Sequence, residues 1–338
     1  MKVGVLCTSC SEDAHDPAGH FVAAHARWLA DHVGDVEVLV ASAGSFDTGG
    51  LPAELRRRPW LAATLSAKLL IAARARRWDA VVSHWLVPSS AVAMTLGLPH
   101  VAIAHGSDIA LLRALPGGEA FVRLLARHAS LVYVADALRI DGAPGIVQPM
   151  PPMSTVRVDR AEARRVLGVK GMVALFLGRL IHDKGCDVLI DALPAGVTLL
   201  VAGDGPEREH LERRPTRGRV RFFGTQRAED KARLLAAADL LVVPSRRDGA
   251  PTVVGEAHAA GLPVLATRVG GLPDLVGEGG WIVDPGELRR TLDRFHAEPG
   301  RLRSVPIPAP ITWLTAGPAI WPFATHDITS RNLAITRL

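Results

Sequence analysis

The chain has 338 residues, 48% of them apolar and 22% charged, with a formal net charge of +5. That length holds two ordinary domains, and that composition excludes a disordered, collagen-like or disulfide-stapled chain. The charge excess lies in the second half, because residues 1–150 carry 13 basic and 13 acidic side chains and the remainder 26 and 21; with no aromatic-interleaved basic stripe, this favours a phosphate-bearing small ligand over nucleic acid.

The first half alternates short apolar runs with helical stretches. KVGVLCTS (2–9) reads as a strand, 19–33 as a helix and VEVLVAS (36–42) as a second strand. Residues 52–77 read as a basic helix, followed by the strand AVVSHW (80–85). A helix over 89–97, a strand HVAIAHG (100–106), a helix over 117–129 and a strand SLVYVA (130–135) complete this half. Apolar runs of this length mark strands buried on both faces, as in parallel sheets. Their alternation with helices predicts a doubly wound α/β layer.

QPMPPMS (148–154) cannot continue a helix or a central strand and reads as an interdomain linker. The rhythm then restarts. Helices are expected over 159–167, 185–193, 228–238 and 252–261. Strands are expected over 172–178, 198–203, 220–224, 240–245, 263–267 and 281–284. This gives two α/β domains, 1–150 and 151–303, facing across a cleft at the carboxyl ends of their strands, where such folds bind ligands. The tail 304–338 is rich in Pro and has no clear period; only 327–338 suits a short helix, capped by Asp327.

The three cysteines are Cys7, Cys10 and Cys186. A lone CxxC without a partner pair reads as two ordinary thiols. The N-terminal apolar run is too short for a signal peptide, and no stretch reaches the ~18 apolar residues of a membrane span. The expectation is a cytoplasmic protein. Residues 55–77 place Arg56, Arg57, Arg58, Lys68, Arg74, Arg76 and Arg77 among Leu, Trp60 and Ile71. A solvated helix face is the plainer reading; the alternative is peripheral contact with the inner face of an anionic membrane.

The chemistry concentrates in PSRRDGAPTVVGEAHAAGLPVLATRVGG (244–271). Asp248 lies on a turn and Glu256 one turn into the helix that begins near Thr252. Carboxylates suit vicinal diols, because each oxygen can accept one O–H. The backbone N–H groups of Thr252 and Val253 lie at a helix N-terminus, where a phosphate is favoured. In LFLGRLIHDKG (175–185), Arg179 and Lys184 stand at a strand end and suit a diphosphate. Hydroxyls at both ends and phosphates between describe a nucleotide sugar. His105, in AHGSD (104–108), sits at a strand end and can hydrogen-bond a sugar hydroxyl; a core histidine is the plain alternative. Gly19, in DPAG (16–19), would let backbone approach a ligand. The first strand is not followed by GxGxxG, which argues against a nicotinamide. His20 and His25 diverge on a helix and, without a zincin-type Glu, are not read as a metal site.

These residues resemble glycosyltransferase family 4, retaining nucleotide-sugar enzymes of GT-B fold, meaning two Rossmann-like domains. The likeness runs over about residues 1–300 through HGSD, GRLIHDKG, AGDGP (202–206), the acid-x7-acid segment, and VGG. It implies that Gly19, Arg179 and Lys184 lie at the diphosphate. His105 and Asp248 would lie at the sugar, and Glu256 at the ribose. It implies hexose transfer from a UDP- or GDP-sugar to a hydroxyl acceptor, with no cofactor and no metal. Two departures stand out. The first acid is Asp248 where the family usually has Glu, and the family's C-terminal helix, which crosses back to the first domain, is replaced by a shortened Pro-rich tail. They motivate one alternative, a non-catalytic partner protein of the same fold; a sugar-nucleotide epimerase of that fold is the other.

Overall fold

The computed structural model describes residues 1–10, 19–41, 55, 57–150, 157–308 and 332–338. The chain divides into two compact units at Met150/Pro151, and its end returns to the first unit.

The first unit holds strands β1 (Lys2–Cys7), β2 (Asp35–Val40), β3 (Ala80–His84), β4 (His100–Ala104), β5 (Ser130–Tyr133) and β6 (Ile146–Val147). Helices α1 (His20–His32), α2 (Trp60–Arg74), α3 (Ala91–Met94), α4 (Ser107–Ala114) and α5 (Gly118–Leu125) connect them. With the last strand of the chain, β13 (Leu333–Arg337), they form a sheet of order β13-β2-β1-β3-β4-β5-β6. Every pairing in it is parallel. The chain runs outward from β1 to β2, then returns to lay β3 on the other side of β1. The topological switch point therefore lies between β1 and β3.

The second unit begins with α6 (Arg160–Leu167) and β7 (Val173–Leu177). It continues through α7 (Cys186–Ala192), β8 (Thr198–Ala202), α8 (Arg208–Glu212), β9 (Arg219–Gly224), α9 (Ala228–Ala237) and β10 (Leu240–Val243). The elements α10 (Thr252–Ala259), β11 (Val264–Thr267), α11 (Leu272–Val276), β12 (Gly280–Val283), α12 (Leu288–Ala297) and α13 (Gly300–Arg303) complete it. Its sheet order is β12-β11-β10-β7-β8-β9, so the switch point lies between β7 and β10.

The apolar runs predicted as strands are apolar because the second sheet is covered on both faces. Along β7, Ala174 and Phe176 join one core with Leu189, Ile190, Leu292 and Phe295. Val173, Leu175 and Leu177 join the other, with Leu234, Val254 and Ala257. Alternate residues of one strand thus feed opposite layers. Truncating any of these buried leucines to Ala should cost about 2–5 kcal/mol. The three cysteines are buried and free. Burial and the neighbouring Cys10 push the Cys7 thiol well above its usual range, and burial pushes Cys186 up to about 12.

The end of the chain overturns one expectation. Residues 333–337 form a strand, not part of a helix over 327–338, and Leu333–Arg337 runs parallel to Val36–Val40. The reason is tertiary. The outer edge of β2 offers a row of unpaired backbone groups, and Asn332 N–H docks the incoming chain on Asp35 Oδ1 at 3.1 Å. The β-branched Ile335 and Thr336 suit that extended placement. Residues 327–331, like the core of the expected linker (151–156), lie outside the described residues.

Candidate functional site

In the second unit the switch point carries the predicted charges. Lys184 follows β7 and Asp248 follows β10, the two central strands, so residues 64 apart in sequence meet at one sheet edge. Lys184 Nζ donates to Asp248 Oδ2 at 2.6 Å, and Ser245 Oγ donates to the same oxygen at 3.1 Å. The Asp248 side chain is nearly buried, at 8% exposed. Arg179, partly buried after Gly178, belongs to the same group. Burial lowers its pKa, while Asp248 and then Asp183 hold it up.

The loop bearing Asp248 is rigidly tied. Arg246 makes a two-pronged pair with Asp187, at 2.8 and 2.7 Å, and donates to the His182 carbonyl at 2.8 Å. This staples the loop after β10 to the start of α7. Gly270, at φ 53°, lies so close that a Cβ there would stand 1.7 Å from the Asp248 carbonyl oxygen. Only glycine lets that turn back the acid.

Thr252 and Val253 are the first two residues of α10 and are partly exposed. Glu256, one turn on, is 4% exposed and pairs with Lys231 Nζ at 2.9 Å. A carboxylate so buried needs a partner, and α9 supplies it. Arg179, Lys184 and Asp248 are therefore brought together, and Glu256 is held by its own lysine.

The first unit builds its switch point from histidines. His105 follows β4, and its turn is held by Asp108. That buried carboxylate accepts N–H bonds from Leu86 and Gly106 at 2.9 Å, from Ile109 at 2.9 Å and from His105 at 3.1 Å. Burial raises the Asp108 pKa, and backbone N–H bonds, those of Leu86, Ile109 and His105 among them, oppose that rise. His105 Nε2 meets His84 Nδ1 at 2.9 Å, and His84 Nε2 meets His25 Nδ1 at 3.0 Å. Phe21 and Trp85 pack their rings 4.8 and 5.0 Å from His105. Burial takes His84 down to about 3 and holds His25 and His105 well below the usual imidazole value. Trp85 itself sits at φ 65°, a region that costs a non-glycine residue about 1–3 kcal/mol.

Gly19 is positioned for a reason of its own unit. At φ 72°, a Cβ on it would lie 2.3 Å from the Ser9 carbonyl oxygen. Its missing side chain is required by packing on the end of β1, before any ligand is considered. Sequence reasoning missed Lys231 and His84, and weighed His25 only as a metal ligand. Lys231 carries no signal, since a lysine on a helix is ordinary. His84 was legible, because it ends an apolar strand at the edge where His105 ends another.

Residues 171–296 match the family described as Glycosyl transferases group 1. The chain is 35% identical over 244 residues to the D-inositol 3-phosphate glycosyltransferase of Mycobacterium sp. (strain KMS), covering 62% of this chain and 54% of that protein. It spans about half the length of the curated relatives it matches. Among solved structures, sucrose-phosphate synthase from Thermosynechococcus elongatus superposes with a TM-score of 0.70 at 20% identity, over 90% of this chain and 92% of that one. Anabaena HepE in complex with UDP-glucose superposes with a TM-score of 0.61 at 22% identity, over the same 90% and 92%. The two parallel α/β units have the GT-B fold, and within the second, residues 171–296 are similar to the glycosyl transferases group 1 family.

Proposed function

We propose that this chain is a retaining glycosyltransferase of family 4 that moves a hexose from a UDP- or GDP-sugar to a hydroxyl acceptor, without a metal. The observation that carries the reading is the meeting of Lys184 and Asp248, with Arg179 beside them, at the switch point of the second sheet. Arg179 and Lys184 supply cations for a diphosphate and Asp248 a carboxylate for sugar hydroxyls, four residues before α10 begins. HepE, solved with UDP-glucose, supports a uridine diphosphate donor by likeness of fold.

In this reading Arg179, Lys184 and the Thr252 and Val253 N–H groups take up charge as the diphosphate departs. The bond from the sugar's anomeric carbon to the phosphate oxygen breaks, and the bond to the acceptor oxygen forms on the same face. The acceptor's proton passes to the departing diphosphate. Glu256 accepts from the ribose hydroxyls. His105, in the first unit, hydrogen-bonds a sugar hydroxyl.

Calorimetric titration with UDP, GDP and ADP, followed by transfer assays with the matching sugar donors, tests the reading. Absence of heat with every nucleoside diphosphate refutes the donor site. Binding without transfer to any hydroxyl acceptor selects the non-catalytic alternative. Loss of activity in EDTA refutes metal independence.

A further inference from the structure

His25, His84 and His105 come from three elements: helix α1, the end of β3 and the end of β4. Their ring nitrogens meet in series at 3.0 and 2.9 Å. Successive nitrogens face each other in pairs instead of converging on one point. Among the described residues no group of His, Cys, Asp or Glu is arranged to hold a metal ion. His25 and His84 are fully buried, and His105 alone reaches the surface. The His84 and His105 ring planes lie within 15° of each other.

A neutral imidazole has one N–H and one bare nitrogen. When two such rings are joined by one hydrogen bond, one must donate and the other must accept. The middle ring, His84, uses both nitrogens. If it donates through Nε2 to His25, it must accept at Nδ1 from His105 Nε2. If it donates through Nδ1 to His105, it must accept at Nε2 from His25 Nδ1. In the first arrangement all three rings carry the proton on Nε2. In the second all three carry it on Nδ1. No mixed arrangement keeps both bonds. Burial keeps the rings neutral near pH 7, since His84 lies at about 3 and its neighbours are also lowered.

We infer that His84 and His25 are positioning residues, which lock His105 into one tautomer and one ring orientation through a hydrogen-bonded chain of a single sense. The only ring nitrogen of His105 outside the chain is Nδ1. Its character, donor or acceptor, is thus tied through His84 to the tautomer of His25. For a group meeting a sugar hydroxyl, which can both donate and accept, a fixed tautomer selects which way the hydroxyl proton points. This consequence rests on the reading of His105 given above; the tautomer lock itself does not.

The test is long-range proton–nitrogen NMR of the full-length chain with ¹⁵N-labelled histidine imidazoles. The expected result is a common tautomer at His25, His84 and His105. Different tautomers within the three, or fast averaging at His105, would overturn the inference whatever the protein's activity. His84→Phe should release His105 into a mixed tautomer population. It should lower kcat about tenfold, with binding of the nucleoside diphosphate by the second unit unchanged. His84→Asn, whose amide can present either its oxygen or its NH2 to His105, should restore ring order at His105 without restoring a single tautomer. An unchanged His105 tautomer in a folded His84→Phe or His25→Phe protein overturns the lock. If His84→Phe does not fold, the wild-type spectrum and His25→Phe decide. Should the wild-type chain show the common tautomer yet transfer no sugar, the lock stands and the glycosyltransferase reading falls.

Discussion

The two units share a topology and differ in how they equip it. Each places its switch point beside a central parallel strand, β1 in the first and β7 in the second. In the second unit that edge carries full charges: Lys184 on Asp248, Arg179 beside them, and Lys231 on Glu256. In the first it carries neutral imidazoles in series, with the nearby carboxylate, Asp108, occupied by backbone N–H groups. The same strand geometry thus presents ions in one place and uncharged donors and acceptors in the other. A pyrophosphate is stabilised by the first kind of surface, and a hydroxyl is met adequately by the second.

The largest expected difference between the units is in acid. An unfolded histidine titrates near 6.5, whereas His84 is lowered to about 3, His100 to about 4, and His25 and His105 well below the ordinary value. Below pH 6.5 the unfolded chain therefore binds protons that the folded one refuses. Stability is full above that value and falls as the pH drops toward the folded-state values. Each histidine contributes about 1.4 kcal/mol per pH unit over that window. The second unit has one buried histidine of this kind, His258. Urea unfolding at pH 7 and pH 5, read separately in peptides from each unit by pulsed hydrogen exchange, should show the first unit losing far more. Parallel losses would break the contrast.

Lys184→Ala should cut turnover at least about 100-fold, as the loss of one charge-stabilising donor commonly does. It also takes a donor from the nearly buried Asp248 and leaves Ser245 bonded to it, so a modest fall in melting temperature should accompany it. Lys184→Ala/Asp248→Asn should recover that melting temperature without recovering activity. Recovery of both would mean that the pair is structural only.

Glu256→Gln should weaken UDP or GDP binding about tenfold, by the loss of a charge-assisted hydrogen bond to the ribose. The 2′-deoxy nucleotide sharpens the point. It should bind wild type more weakly than the parent nucleotide, and lose little more in the variant. Equal losses for both nucleotides would remove Glu256 from the ribose.

The contrast was half legible in the sequence. Asp248, Glu256, Arg179 and Lys184 were readable because a motif fixes their spacing and charged residues are few in an apolar stretch. The strand runs were readable because burial on both faces leaves no polar residue to interrupt them. Helix α4 was not, since its first residue, Ser107, directly follows the run read as a strand to Gly106, and the role of Asp108 as its carboxylate anchor is visible only in three dimensions. The short α8, α11 and α13 have too few residues to show a period. The C-terminal strand was hidden for another reason: LAITR is five residues long, and only the open edge of β2 tells it to extend.

The smallest effect expected is at the surface of the first unit. Helix α2 exposes Trp60 by 62% and Ile71 by 73%, eleven positions apart and so on one face. Exposed Lys68 and Arg74 flank that face, whereas Arg76 is turned inward to Glu37 at 2.7 Å. No helix among the described residues is long and apolar enough to cross a membrane. In a peripheral contact through this face, each basic residue near an anionic surface would add about 1 kcal/mol. Vesicles containing phosphatidylglycerol should retain the protein at low salt, and phosphatidylcholine vesicles should not. Trp60→Ser/Ile71→Ser should lower the retained fraction severalfold while leaving donor binding by the second unit untouched. Two apolar side chains and a few cations give a weak, salt-sensitive association, so retention that persists at high salt would point to a different surface.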